Sequence, residues 1–255
     1  MKPDEQERFV IAAHHPDRLH RPQVSPTAPA AERVQQALLW NVFRTLELIT
    51  PSFWLRRIHV RLTAEASLVA PQIARVRLWP LLPRPWVQSL DGTRPDVAAD
   101  VVIETEHAVW TMVADVDTHS LTDGDRSAAV VDAGARFAGT RRHHCGVIES
   151  PGTPHAAGPV LQSRYSRSRD STRLRSGSRG PSAPAPATWG TLRWSQLAVV
   201  LADCVDGTSL SSIERAVAAN ALEWLTGVGV EPERRQPSHR SFLDGALSDE
   251  AFQDE

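Results

Sequence analysis

The chain has 255 residues, of which 41% are hydrophobic and 23% are charged, and its formal net charge is −2. This composition is typical of a soluble globular protein with room for one large core, and no apolar run approaches the roughly 18 residues of a membrane span. The first residues lack the basic and apolar regions of a secretory signal, and Cys145 and Cys204 have no metal-ligand spacing. We therefore expect a cytoplasmic protein without a membrane partner.

The first third of the chain predicts an arm, a helix and two strands. Residues 1–30 contain proline, histidine and alternating charges without periodicity, which predicts a flexible arm. In AERVQQALLWNVFRTLEL the apolar residues recur at helical spacing, which predicts a helix over residues 31–48 that Pro51 stops. The runs RRIHVRL (56–62) and IARVRLW (73–79) alternate apolar and polar residues, and each predicts a strand.

The middle of the chain predicts a hairpin followed by a helix, a strand and a further helix. The hairpin strands span roughly residues 100–105 and 109–116 and are joined across Glu106 and His107. DGDRSAAVVDAGARFAG then predicts a helix that ends at Gly139, HHCGVIES predicts a short strand, and AGPVLQSRYSRS predicts another helix. This order predicts an α/β fold in which helices flank a mixed central sheet.

The last third of the chain predicts a helical pair that packs on the core. Residues 166–188 are rich in arginine, serine and proline and predict a loop or linker after an α/β core over residues 31–165. WSQLAVVLADCV and SSIERAVAANALEWL predict C-terminal helices within residues 189–230, and the second begins with capping-box spacing. Residues 231–255 predict an acidic flexible tail.

Four carboxylates gather where the hairpin opens. Asp96 and Asp100 stand at the start of its first strand, and Asp115 and Asp117 stand at the end of its second strand. Antiparallel pairing brings these two ends together, with position 100 near position 113. Such acids repel one another unless a cation is present, and Mg²⁺ or Mn²⁺ prefers oxygen ligands. A solvated sheet edge, where aspartates cap the local backbone, is the alternative interpretation.

The order of these elements resembles the PD-(D/E)xK nuclease superfamily, which has the restriction-endonuclease-like fold. That family has a helix with a glutamate, a strand with an aspartate, a strand with (D/E)-x-K, and then a helix and another strand. The resemblance covers roughly residues 31–165, and RPD at positions 94–96 supplies a literal Pro-Asp. The matching acids are Glu32 on the helix, Asp96 or its rival Asp100, Asp115, and Asp117 at the position of the family lysine.

The resemblance implies metal-dependent hydrolysis of phosphodiester bonds, in defence against foreign DNA or in DNA repair. Asp96 or Asp100, together with Asp115, would hold Mg²⁺ or Mn²⁺. Asp117 would orient water or a second ion, and Glu32 would assist.

The lysine of the family motif is missing, because Lys2 is the only lysine in the chain. Arg126, Arg141 or Arg142 could supply a positive charge, but arginine stays protonated and cannot act as a base. The alternative is therefore a catalytically inactive binding or scaffold protein of the same fold. Its C-terminal helices would then present apolar residues to a protein partner, namely Trp194, Trp224 and Leu225.

A basic stretch after the predicted core suggests contact with nucleic acid. Its arginines can neutralise a phosphate backbone without reading sequence, and its tyrosine can stack on a base. We expect a nucleic-acid partner, with DNA favoured over RNA and RNA still open, and a protein partner, a homo-oligomer or a merely solvated linker also stay open. The residues concerned are Arg164, Tyr165, Arg167, Arg169, Arg173 and Arg175.

The remaining motifs concern a zinc site, a further acid near the hairpin, and the signatures of nucleotide-binding enzymes and hydrolases. His143 and Cys145 would share one face of a strand while His144 points away, and no second cluster completes a tetrahedral zinc site. Glu149 ends this strand and could approach the acids as an outer ligand. The sequence contains no Gly-x-Gly-x-x-Gly, P-loop or Gly-x-Ser-x-Gly motif, so nucleotide-cofactor enzymes and α/β-hydrolases lack their usual signature.

Overall fold

The computed structural model describes residues 30–63, 71–82, 97–114, 124–149 and 186–233. The helices are α1 (Ala30–Glu47), α2 (Pro51–Thr63), α3 (Gly124–Ala138), α4 (Trp194–Asp206) and α5 (Ser212–Gly227). The strands are β1 (Arg75–Leu78), β2 (Leu81–Leu82), β3 (Val97–Ala98), β4 (Val101–Glu104), β5 (Ala108–Ala114), β6 (Arg142–Glu149) and β7 (Thr188–Arg193). None of the helices in these segments has the length and apolar character needed to cross a bilayer.

A mixed sheet forms the centre of the molecule. Its strand order is β1-β4-β5-β6-β7, while β2 and β3 pair in a separate two-stranded sheet. β4 is antiparallel to β1 and β5, and β5, β6 and β7 are mutually parallel neighbours. Helix α3 belongs to the crossover from β5 to β6 and is followed directly by Gly139, whose φ of 61° suits glycine. The predicted α/β class, with helices flanking a mixed sheet, is confirmed.

Both faces of the sheet are covered, and β5 shows how the sequence achieves this. Trp110 and Met112 lie in the core formed with α1, α2, α4 and α5, whereas Val109 and Val113 pack in the core under α3. Successive side chains of a strand point to opposite faces, so a strand covered on both sides is apolar along its whole length. This explains the run AVWTMVA, in which every residue is buried.

The predicted strand RRIHVRL is wrong, because this segment belongs to helix α2. Pro51 stands at the first position of α2, where its fixed φ favours a helix and its missing N–H is not needed. Ile58 and Leu62 are four residues apart and both are buried, as expected for one face of a helix. The apolar–polar alternation of RRIHVRL therefore also fits a helix, because the residues that pack, Ile58 and Leu62, are four apart.

Strand β7 was not predicted from the sequence, and its place depends on a close contact with α2. A Cβ built on Gly190 would lie 1.5 Å from the Leu62 backbone oxygen. Only glycine can occupy this position without moving the helix, so the backbones of α2 and β7 approach each other directly.

The C-terminal helices form as predicted and complete the core. The Glu214 backbone N–H donates to Ser211 Oγ (3.2 Å), and the Glu214 carboxylate accepts from the Ser211 backbone N–H (2.8 Å), which is a capping box. Trp194 and Leu225 are buried in the core, so the predicted partner surface made of these side chains is wrong. Trp224 is partly buried and packs against the same core.

Candidate functional site

One edge of the sheet, which we call the acid edge, is where β4 begins and β5, β6 and β7 end. Asp100 directly precedes β4, and Asp115 directly follows β5. The pairing of Val101 with Met112 gives the hairpin the register expected from the sequence. In sheets with parallel strands, ligands bind outside the carboxyl ends of those strands, and this edge carries three such ends.

Asp100 is held in place by the end of the neighbouring strand. The Ala114 backbone N–H donates a hydrogen bond to Asp100 Oδ2, with an N···O distance of 2.8 Å. The Asp100 side chain therefore bridges the start of β4 and the end of β5. The prediction that position 100 lies near position 113 is confirmed.

Glu149 brings a second described carboxylate to the acid edge. It ends β6, is only 2% exposed, and is paired in register with Arg193 of β7. The preceding residue, Ile148, pairs with Ala114, so Glu149 lies one residue beyond the end of β5. Burial of a carboxylate is costly unless polar groups or a cation compensate it.

Most of the predicted site residues lie outside the described part of the chain. This holds for Asp96, Asp115 and Asp117 and for the basic stretch with Arg164, Tyr165, Arg167, Arg169, Arg173 and Arg175. Glu32 belongs to α1 and Arg126 to α3, but their side chains are outside the described part. Likewise, the predicted helix AGPVLQSRYSRS lies within the undescribed residues.

The two described carboxylates of the acid edge come from strands on either side of β5. Carboxylate oxygens from Asp100 and Glu149 are the ligand type that Mg²⁺ and Mn²⁺ prefer. The structure thus brings two of the acids singled out in the sequence to one edge. Within the described residues, no group of three or more histidines, cysteines, aspartates or glutamates is arranged to hold a metal ion.

The opposite edge of the sheet borders a cavity of about 770 Å³, which we call the histidine cavity. It lies where β4 ends, at the hairpin turn, and where β5 and β6 begin. Buried ring side chains line its inner part and exposed charged residues line its mouth. The lining residues are His59, Pro71, Gln72, Ile73, Arg75, Glu104, Thr105, Glu106, His107, Ala108, Trp110, Arg142 and His144.

Three rings from two strands and a helix form the floor of the histidine cavity. Trp110 of β5 and His144 of β6 are paired in register and stack with their centroids 5.0 Å apart. His59 of α2 lies edge-on to His144 at 5.0 Å. Trp110 Nε1–H donates to His59 Nδ1 over 3.4 Å, so this nitrogen of His59 acts as the acceptor. The sequence had drawn attention to His144, but His59 was missed because its segment was predicted to be a strand.

His144 is uncharged in this environment. Burial, and then the charges of His59 and Arg142 among its neighbours, lower the pKa of His144 to about 3. Its Nδ1 lies 2.7 Å from Thr188 Oγ1 on β7, which orients the ring. The His144 ring is therefore neutral at physiological pH.

The remaining two members of the His-His-Cys motif lie on the other face of β6, as predicted. Cys145 Sγ is 3.4 Å from His143 Nε2, and this nitrogen is also 3.1 Å from Thr111 Oγ1. Burial lowers the pKa of His143 to about 4 and raises the pKa of the Cys145 thiol. These properties suit a buried structural contact beneath α3 rather than a reactive thiolate.

Comparison of the chain with protein-family models, with curated proteins and with solved structures finds no match.

Proposed function

We propose that this protein is a metal-dependent nuclease of the restriction-endonuclease-like fold that hydrolyses phosphodiester bonds in nucleic acid. The observation that carries the proposal is the hydrogen bond from Ala114 to Asp100, because it ties the two hairpin ends that bear the family acids. The order of helix, strand, hairpin, crossover helix and parallel strand agrees with the resemblance.

In this proposal, Asp100 and Asp115 hold a Mg²⁺ or Mn²⁺ ion, with Asp96 as the rival of Asp100. Asp100 is suited to this role because the Ala114 N–H fixes its carboxylate and reduces the entropy lost when a ligand binds. Glu149 adds negative charge beside the end of β5. The bound ion would supply a more acidic water and stabilise charge on a phosphoryl oxygen.

The missing lysine gives Asp117 and Glu32 their proposed roles. A carboxylate at position 117 can accept a proton or a hydrogen bond from water, which arginine cannot do. Glu32, carried by α1, would assist from the helix side. Settings such as defence against foreign DNA or DNA repair suit this chemistry.

The proposed substrate is DNA, held through its phosphates by the basic stretch between Arg164 and Arg175. Six arginines lie within residues 164–179 against the single acid Asp170. Contacts of this kind strengthen binding to any sequence and weaken as salt is added.

Cleavage assays with acid variants test the proposal. Supercoiled plasmid and labelled single strands are incubated with Mg²⁺ or Mn²⁺ and the wild type, Asp100→Asn or Asp115→Asn. We expect wild-type cleavage that chelation abolishes, and cleavage slowed by about a hundredfold or more in both variants, since each loses a metal-binding charge. Asp206→Asn is the matched control, because Asp206 is exposed at the end of α4.

The outcomes separate the proposed nuclease from the scaffold alternative. Cleavage that survives in Asp115→Asn would contradict the acid edge as the active site. If neither the wild type nor the variants cleave, calorimetry with Mn²⁺ measures whether the wild type and Asp115→Asn bind a metal ion. Binding that Asp115→Asn removes indicates a metal site without activity on these substrates, whereas absence of binding favours an inactive binding or scaffold protein.

A further inference from the structure

Four arginines surround Phe137 at the C-terminal end of α3, and we call this group the arginine surface. Arg77 of β1 and Arg141, which precedes β6, place their guanidinium carbons 5.5 Å and 5.6 Å from the centroid of the Phe137 ring. Arg136 directly precedes Phe137 on α3. Arg75 lies two residues before Arg77, so both side chains leave the same face of β1. The arginine surface therefore joins charges from the sheet, from α3 and from the loop between α3 and β6.

Two of these arginines are held in place by the fold. Glu104 forms ion pairs with Arg77 and, at 3.5 Å, with Arg141. Arg141 also donates hydrogen bonds to the backbone oxygens of Phe137 (3.0 Å) and Ala138 (3.1 Å) at the end of α3. Arg77 and Arg141 thus shape the surface and contribute positive charge, but their hydrogen-bonding groups are already engaged.

The other two arginines are available to a ligand. Arg75 and Arg136 are exposed, and neither guanidinium forms an ion pair or a hydrogen bond with another residue of the described segments. A guanidinium stays protonated and presents a planar fork of donors that matches the oxygens of a phosphate group. The arginine surface therefore presents two free cations beside two that are fixed.

Two further acids lie near the arginine surface without neutralising it. Glu106 is exposed at the hairpin turn, where its carboxylate lies 3.8 Å from His107 Nε2. Asp132 lies on α3 and, after burial, is the next cause of the raised pKa of the Cys145 thiol, so its charge acts on that buried group. Even with both acids counted beside Glu104, the arginines outnumber the carboxylates in this part of the described chain.

Exposed arginines of this kind suit a repeating polyanion better than a single small anion. One ion pair at an exposed position contributes little, because water screens it. Duplex DNA presents phosphates at short intervals and releases counterions at each contact, so separate surface arginines add to its affinity. Phe137 packs against the core under α3 and is covered by two guanidiniums, so it is not free to stack on an unpaired base. The surface therefore favours the backbone of a duplex over a single strand.

We propose that the arginine surface is a sequence-independent docking site for the phosphate backbone of duplex DNA. Arg75 and Arg136 contact the phosphates, and Arg77 and Arg141 hold the surface in shape and add to its positive field. The inference rests on the proposed nuclease function only for the identity of the polyanion. It adds a place where the sheet and α3 themselves hold the substrate.

Fluorescence anisotropy of a labelled duplex of about 20 base pairs tests the proposal. A chelator is present, so that the acid edge holds no metal and the duplex is not cut. We expect Arg75→Gln and Arg136→Gln each to weaken binding several-fold. Each should also make the plot of log affinity against log salt concentration shallower by about one unit, because one phosphate contact is lost. Arg75→Lys and Arg136→Lys keep the charge and should bind nearly as the wild type does.

Arg142→Gln is the matched control. Arg142 is exposed like Arg75 and Arg136, but it leaves the same face of β6 as His144, on the other side of the sheet from α3. The variant loses the same charge, yet it should keep the wild-type dependence on salt. Denaturant unfolding shows whether the variants fold, and the midpoints of Arg75→Gln and Arg136→Gln should match the wild type because neither guanidinium has a described partner.

The proposal is overturned if the wild type does not bind the duplex, or if either Arg75→Gln or Arg136→Gln keeps the wild-type affinity and salt dependence. It is also overturned if Arg142→Gln weakens binding as much as they do, because net charge alone would then explain the effect. Poly-glutamate that binds as tightly as the duplex, with the same dependence on these two arginines, would indicate an acidic protein partner instead.

The outcomes are separable from those of the nuclease proposal. Asp100→Asn should leave binding to the duplex unchanged in the presence of the chelator, because it alters only the acid edge. A protein that binds the duplex through Arg75 and Arg136 but cleaves nothing would contradict the nuclease proposal alone. A protein that cleaves DNA without any need for these arginines would contradict the docking site alone.

Discussion

His144 links the structure of the histidine cavity to the pH dependence of stability. Its pKa falls from 6.5 to about 3 on folding, chiefly because of burial. Below pH 6.5 the unfolded chain takes up a proton that the folded chain does not, so acid favours unfolding. The contribution is absent above pH 6.5 and grows as the pH falls towards the folded-state value.

We predict that His144→Gln makes the free energy of unfolding less dependent on pH. Between the two pKa values, one histidine contributes a slope of about 1.4 kcal/mol per pH unit, and the variant should lose this slope. Denaturant unfolding at several acidic pH values measures it. His107→Gln is the matched control for loss of a histidine, because the His107 side chain is 70% exposed. An unchanged slope in His144→Gln would mean that His144 is already protonated in the folded protein.

At the scale of secondary-structure elements, the hairpin and the helices could be predicted because their signals are local. The turn at Glu106 and His107 separates two apolar runs, and Ser211 and Glu214 cap α5 as their spacing indicates. The segment RRIHVRL is ambiguous between helix and strand. In only seven residues, apolar positions that are four apart on a helix can also fit the apolar–polar alternation of a strand. Pro51 has two roles, because it follows the end of α1 and is also the first residue of α2.

The acid edge could be predicted better than the histidine cavity, because hairpin pairing is local in sequence and the packing of α2 on the sheet is not. The approach of Asp100 to the end of β5 follows from hairpin pairing, which the alternation of the two strands specifies. The histidine cavity depends on α2 lying over the sheet, and that contact joins residues far apart in the sequence. Strand β7 was missed because TWGTLR is short and contains a glycine. This glycine, Gly190, is needed because the backbone of α2 lies directly against it.

Two glycines test how closely α2 packs on the sheet. A Cβ at Gly190 would meet the Leu62 backbone oxygen at 1.5 Å, whereas a Cβ at Gly146 would meet the end of the Leu62 side chain at 2.6 Å. A side chain can move aside but a helix backbone cannot do so cheaply. We predict that Gly190→Ala lowers the free energy of unfolding by about 3 kcal/mol and Gly146→Ala by clearly less. Equal losses in denaturant unfolding would mean that α2 does not rest on β7.

At the scale of the whole molecule, the sheet separates two chemically different ends. β5 runs from Ala108 beside the histidine cavity to Ala114 at the acid edge, a span of roughly 20 Å. Asp100 and Glu149 lie at one end, and buried rings with exposed arginines lie at the other. The strands between them keep these two groups of side chains apart.

This separation predicts additive effects on stability. The losses in free energy of unfolding caused by Asp100→Asn and Arg142→Gln should sum in the double variant to within about 0.5 kcal/mol, because the two positions lie at opposite ends of the strands, far more than about 10 Å apart. Arg77→Gln and Arg141→Gln form the contrasting pair, since both arginines contact Glu104 and their combined effect should depart from the sum. Denaturant unfolding of both cycles measures the difference. A departure from additivity in the first cycle as large as in the second would show that the two ends of the sheet are energetically coupled.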